Sequence, residues 1–154
     1  MLAGLAAALV AGVLLTFSDF AMRSFAKAGP AAGAEAMKQI NGEIIRSLFM
    51  VLFLGSALVA VGVLIYAWLS TAGPLRAWLT AGPLAYLLGV MAVTIVRNIP
   101  LNNELDRVDV HTEPGQEFWA SFVGPWTRWN HVRTVGSLVT AFCYLQAALL
   151  LSAV

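Results

Sequence analysis

Charged residues are confined to two stretches, 19–46 and 97–133, with Arg76 alone outside them; they alternate with four charge-free apolar runs, 2–18, 47–75, 77–96 and 134–154. A helix rises 1.5 Å per residue, so about 20 apolar residues cross a hydrocarbon layer of roughly 30 Å. The last three runs reach that length. The first reaches it if it continues to Met22, which puts Asp19 at a headgroup boundary where its carboxylate stays hydrated. The pattern therefore predicts an all-α, polytopic membrane four-helix bundle in up-down order with short interfacial helices, as one domain over 1–154. The first run follows no basic segment and precedes no cleavage context, so it reads as a span and not as a signal peptide.

Within that frame, helix 1 is predicted from 2 to about 25, stopped by Gly29 and Pro30. A short amphipathic segment, 31–43, follows, with Met37 and Ile40 on one side. Helix 2 is predicted over 44–69, where Gly55, Ser56, Ala57, Ala60 and Gly62 offer small surfaces for close helix contact. Thr71-Ala-Gly-Pro-Leu75 and Thr80-Ala-Gly-Pro-Leu84 echo one another and read as two helix starts, because proline's missing amide costs nothing in a first turn. Helix 3 is then predicted over 83–99 and ended or kinked by Pro100. Residues 117–129 read as a short interfacial helix bearing Trp119, Trp126 and Trp129, and helix 4 runs from near Trp126 or Asn130 to the C-terminus.

Composition agrees with the membrane reading. At 60% hydrophobic and 11% charged residues, with a mean hydropathy of +0.81, the chain carries more apolar side chain than a soluble domain can hide. A net charge of +1 gives no basic patch, so no nucleic-acid partner is expected. The single cysteine, Cys143, lies in the last apolar run and reads as a packed small residue. Eight lysines and arginines flank the first and third connections, whereas only Arg76 marks the second. That asymmetry puts connections one and three in the cytoplasm and both termini outside, in a bacterial inner membrane. Membrane lipid is the expected surroundings, and the small face of helix 2 permits a homo-oligomer.

Candidate chemistry gathers at the charged ends of the spans. Asn98 and Asn102, with Asn103 beside them, share a face if the turn through Pro100 stays helical, and their amides then either meet a ligand oxygen or satisfy carbonyls released by the proline. Trp126, Asn130, Arg133 and Ser137 are spaced four, three and four, which draws one stripe on helix 4. A stripe of indole, amide, guanidinium and hydroxyl suits a planar aromatic oxyanion. Arg133 precedes an uninterrupted apolar run, so its guanidinium must snorkel, pair with a carboxylate such as Asp19 or Glu43, or meet a substrate anion. Asp19 and Arg23, four apart, either pair locally or line the same pocket. His131, one position off the stripe, is either a packing group or a base. The run Glu104, Asp106, Asp109, His111, Glu113 and Glu117 lacks metal-site spacing and reads as a solvated loop. Without a phosphate loop, a nucleophile elbow or a haem pattern, neither cofactor nor metal is expected.

Four segments carry a family pattern: Phe17-Ser-Asp-Phe20, Met37-Lys-Gln-Ile-Asn41, Asn98-Ile-Pro-Leu-Asn102 and Trp126-Thr-Arg-Trp-Asn-His-Val-Arg-Thr134. Together, over about 17–145, the chain resembles the anthrone oxygenase-like family of small integral membrane proteins. The resemblance implies a four-helix membrane fold and a polar site of Asn41, Asn98, Asn102, Trp126, Asn130 and Arg133, with His131 nearby. Some members oxidise anthrones to anthraquinones, while many bacterial relatives have no assigned reaction. The chemistry it suggests sets an electron-rich aromatic substrate against Trp126. His131 then removes a ring proton, while Arg133 and Asn98 stabilise the enolate-like oxygen and dioxygen reacts without a bound cofactor. A noncatalytic carrier or partner subunit binding a small hydrophobic molecule is the competing class. The catalytic scheme requires Asp19, Asn98 and Arg133 to converge at one depth.

Overall fold

The structure, a computed structural model, describes residues 1–152; the last two positions of predicted helix 4 lie outside the described residues. Five helices follow one another: α1 (Leu2–Lys27), α2 (Pro30–Ile44), α3 (Leu48–Ser70), α4 (Gly73–Arg107) and α5 (Glu113–Ser152). All but α2 are long and apolar enough to span a membrane, and no strand occurs among the described residues. The protein is an integral membrane helical bundle. Its outer face bears Leu48, Leu58 and Trp68 at 74%, 76% and 61% exposure, which suits acyl chains and not water.

α5 is the central element. It packs along α1 and along most of α4, while α3 leans on α1 and on the first two-thirds of α4. Hydrocarbon supplies no hydrophobic drive between spans, so close backbone approach and interhelical hydrogen bonds hold them together. A Cβ on Gly136 would stand 3.1 Å from the Ala85 carbonyl oxygen and 3.2 Å from Cα of Gly89, so α4 and α5 touch backbone to backbone there. The small residues predicted to serve α3 are used only in part: Ser56 and Ala60 are buried, but Gly55 and Gly62 face open space. Buried Ser137 donates to the Ala7 carbonyl at 2.8 Å, tying α5 to α1.

The prolines behave differently from expectation. Gly73 (φ 59°) and Pro74 start α4, ten residues before the predicted start. The second Gly-Pro pair is interior to that helix. Gly82 and Pro83 are buried against α5, where Thr140 donates its hydroxyl to the Gly82 carbonyl at 3.0 Å, so packing overrides the local start signal. Pro100 does not stop α4 either. The backbone just before it, Thr94–Asn98, is wound as a π-helix, the looser winding expected where a missing N–H leaves a carbonyl one turn back without its α-helical partner. Likewise α5 runs unbroken through Pro125 for 40 residues, so the predicted interfacial helix 117–129 is its first half.

At the charged end, α2 seats Ala34 and Met37 against Leu105, Trp119, Phe122 and Trp126. Gly29 (φ 102°) permits the sharp entry, and a Cβ on Gly33 would lie 2.2 Å from the Phe25 carbonyl oxygen, so only glycine lets α2 fold back on α1. Lys38 Nζ donates to the carbonyls of Val108 at 2.6 Å and Asp106 at 3.4 Å, covering acceptors that the end of α4 leaves free. Arg97 lies 4.7 Å over the Trp129 ring at this end, and Arg76 5.5 Å over Trp68 at the other, marking the two interfaces.

Candidate functional site

Because α3 packs on α1 and the earlier part of α4, it diverges from residues 94–107 and leaves a wedge. A cavity of about 510 Å³ fills it, within the size range of small-molecule sites. Phe17, Met37, Phe49, Met50 and Met91 make much of its wall apolar. Its side between α3 and α4 is lined by Ile45, Leu54, Ile95 and Ile99, which remain 67%, 48%, 59% and 42% exposed. The cavity thus opens sideways, toward the hydrocarbon. Exposed Asn103 and Asp106 mark its polar end. Two π-helical turns, Phe17–Ala21 and Thr94–Asn98, adjoin it, and such turns re-aim side chains that a regular α-helix would point elsewhere.

Arg133 is the dominant group on that wall. The residue is 8% exposed, its guanidinium lies 5.4 Å over the Trp126 ring, and Nη1 donates to Thr94 Oγ1 at 3.3 Å. Nη2 donates to Asn130 Oδ1, whereas Nε has no acceptor. Neither Asp19 nor Glu43 pairs with it: among the described residues the ion pairs are Arg23–Asp19 and His111–Glu35. A buried cation with open donors and no carboxylate is costly unless an anionic or partly anionic oxygen meets it.

The neighbours hold this guanidinium in place. Asn130 is wholly buried and satisfied, its amide donating to the Leu14 carbonyl and to Ser18 Oγ, each at 2.7 Å, so its oxygen is aimed at Arg133. Trp126 is 4% exposed; its Nε1 donates to Asn102 Oδ1 at 2.7 Å, and Phe17 and Phe122 pack on its ring at 5.9 Å and 6.3 Å. Asn41 lines the cavity from α2, and its Nδ2 is buried without a partner.

Of the ten predicted site residues, Asn41, Asn102, Trp126, Asn130 and Arg133 meet at this cavity. The other five do not line it. Asn98 is buried behind the wall, donating to the Trp126 carbonyl at 3.3 Å, so it clamps α4 to α5 and does not face a ligand. Ser137 shares the predicted stripe but is spent on Ala7. Asp19 and Arg23 pair with each other at 3.1 Å and are 65% and 70% exposed, on the outer side of α1. His131 is exposed, 100° around the helix from Asn130, so the base assigned to it cannot reach the Arg133 side of the cavity. The expected convergence of Asp19, Asn98 and Arg133 is therefore not found.

Asn103, named beside Asn98 and Asn102 in the sequence, lines the cavity, whereas sequence reasoning missed Thr94 and read Asp106 only as part of a solvated loop. Met91, Ile95, Ile99, Asn102 and Asp106 recur at spacings of three and four, a helical stripe that runs straight through Pro100 and was legible had the proline been allowed inside the helix. The acidic run is partly helix end and partly loop: Glu104 and Asp106 close α4, Asp109 accepts from the His111 backbone N–H at 3.0 Å, and His111 Nε2 meets Glu35 at 2.9 Å.

The profile of a family described as anthrone oxygenase matches residues 47–143. That span holds α3, α4 and most of α5, with Thr94, Asn102, Trp126, Asn130 and Arg133, and omits α1 and Asn41. No curated protein and no solved structure matches the chain.

Proposed function

The chain belongs to the anthrone oxygenase family, and from that premise we propose that the cavity binds a flat, lipophilic aromatic ketone and promotes its oxidation by dioxygen. The observation that carries this reading is Arg133, a buried guanidinium without a carboxylate, stacked on Trp126 at the wall of an apolar cavity. An anthrone has an acidic ring C–H across the ring from its carbonyl. When that proton leaves, negative charge moves onto the oxygen, and a preorganised donor in a dry site favours the charged form over the neutral ketone.

The chain's part is mainly electrostatic. Among the described residues Asp106, at the polar end, is the only carboxylate on the cavity wall, and no imidazole lines it. The proton therefore passes to water at the mouth, and Arg133 makes its departure easier by stabilising what remains. The carbanion then bonds to dioxygen, and the resulting peroxide takes up a proton. Loss of water leaves the second carbonyl, so one anthrone and one dioxygen give one anthraquinone and one water. Asn130 and Thr94 position the guanidinium, and Trp126 offers the ring a flat face. In this reading the cavity's polar end lies at the cytoplasmic face, with connections one and three.

The test is oxygen uptake by protein in nanodiscs supplied with anthrone. A protein-dependent rate above that of empty discs, with anthraquinone formed one for one with oxygen consumed, is the expected result. Saturable binding of anthrone without added oxygen uptake would replace catalysis with a carrier role. Absence of both overturns the site.

A further inference from the structure

The cavity has two openings of opposite character. At the polar end stand exposed Asn103 and Asp106, and α2 forms the wall beside them through Met37, Ile40, Asn41 and Ile44. That end is tied down. Lys38 holds α2 to the carbonyls of Asp106 and Val108, Glu35 meets His111, and Met37 is buried against Leu105, Trp119 and Trp126. The side opening has no such ties. The Tyr86 hydroxyl donates to the Phe53 carbonyl at 2.9 Å and closes the wedge between α3 and α4 at its deep end. From there to the charged end, no hydrogen bond among the described residues joins α3 to α4. Leu54 on α3 and Ile95 on α4 both line the cavity and are both exposed on the outside, so each stands on a lip of the slit. Ile95 lies in a charge-free run, on the hydrocarbon side of the interface that Arg97 and Trp129 mark.

We propose that the two openings divide the traffic: the ligand enters and leaves through the α3–α4 slit, directly from the hydrocarbon, while the polar end admits water and lets the proton out. Leu54 and Ile95 are then specificity-determining residues, screening ligands by size and, being aliphatic, by charge. The inference rests on the ligand-binding half of the reading above and not on its oxygen chemistry. A neutral, lipophilic ring system gathers in the bilayer and crosses an aliphatic slit with little to desolvate, whereas an ionised one would give up its water there. The water that receives the substrate's proton has a separate way in, past Asn103 and Asp106.

The route is read from the association and dissociation rates of anthrone under nitrogen, followed in stopped flow by quenching of tryptophan fluorescence in nanodisc-held protein. The double variant Leu54→Phe with Ile95→Phe narrows the slit, and Leu54→Ala with Ile95→Ala widens it. Narrowing is expected to slow both rates and widening to raise both, by roughly three- to tenfold with Kd moving less than about twofold. The reason is that an obstacle on the path raises the barrier between free and bound states without changing either. Asn103→Phe, which narrows the polar end, should alter the rates less than the slit pair does. Rates that follow Asn103→Phe and ignore both slit variants overturn the proposal. So does a change in dissociation alone, which would make Leu54 and Ile95 ordinary wall contacts. Should the narrowed variant fail to fold, the widened one still decides. Anthrone that passes the slit and is not oxidised sinks the oxidation reading alone; anthrone that is oxidised at rates indifferent to the slit sinks this inference alone; no binding of anthrone overturns both.

Discussion

Replacing Arg133 by methionine separates the two roles a buried arginine can have. On the stability side, the substitution removes a cation that has no carboxylate partner, and a charge of this kind near the end of a span costs up to the roughly 2.5–3.5 kcal/mol that insertion scales give at mid-span. Against that gain stands one orphaned acceptor. Asn130 Oδ1 loses its donor, at about 1–3 kcal/mol, while the bonds of the Asn130 amide to Leu14 and Ser18 are untouched. Thr94 loses only a 3.3 Å contact, and methionine refills most of the stem volume against Trp126. The balance is a fold as stable as the unaltered protein, or more stable by about 1–2 kcal/mol. On the chemical side, loss of the donor aimed at a developing oxyanion lowers the rate by about 10²–10³-fold. Unfolding in detergent, measured beside oxygen uptake with anthrone, reads both quantities from one preparation. A variant destabilised by several kcal/mol with turnover intact would refute the argument, since Arg133 would then be a structural tie.

Three further outcomes follow from the geometry. His131→Ala should leave turnover within about twofold of the unaltered protein, because the imidazole is exposed outside the cavity; a loss of two orders of magnitude in oxygen uptake would return the base role to it. Asn102→Leu leaves the buried Trp126 indole N–H unpaired and should cost about 1–3 kcal/mol in thermal or denaturant unfolding, with Trp126→Phe in the same background recovering part of it. Gly136→Val puts a Cβ about 3.1 Å from the Ala85 carbonyl oxygen, with two methyl groups beyond it where α4 and α5 touch, and should destabilise by roughly 1–3 kcal/mol or more, read as a lower midpoint of unfolding.

Membrane character was legible because it needs no tertiary information: apolar runs of sufficient length, broken by charge, admit few other structures. The helix ends were harder. Gly82-Pro83 and Pro100 carry local stop or start signals, but their cost is overridden by burial against α5 and by a π-helical turn, neither of which a linear reading contains. The site divided in the same way. Trp126, Asn130 and Arg133 lie on one stripe of a long helix, so spacing found them. Spacing also proposed Ser137, which the approach of α1 diverts to Ala7. On α1 the inner face runs through Leu14, Ser18 and Met22, and Asp19, one residue on from Ser18, turns outward. A difference of one position, 100° of helix, decides between the interior and the outside, and sequence offsets that small depend on partners not yet in view.

At 1.5 Å per residue the 40 residues of α5 extend about 60 Å, twice the thickness of a hydrocarbon slab. One unbroken rod therefore joins the aromatic layer around Trp119, Phe122 and Trp126 to Arg133 and the apolar run that follows it. A thicker or thinner bilayer slides that rod along the membrane normal or tilts it, and so changes how deeply the guanidinium is immersed. Lipid chain length is thereby a dial on this protein, one that works without touching any side chain.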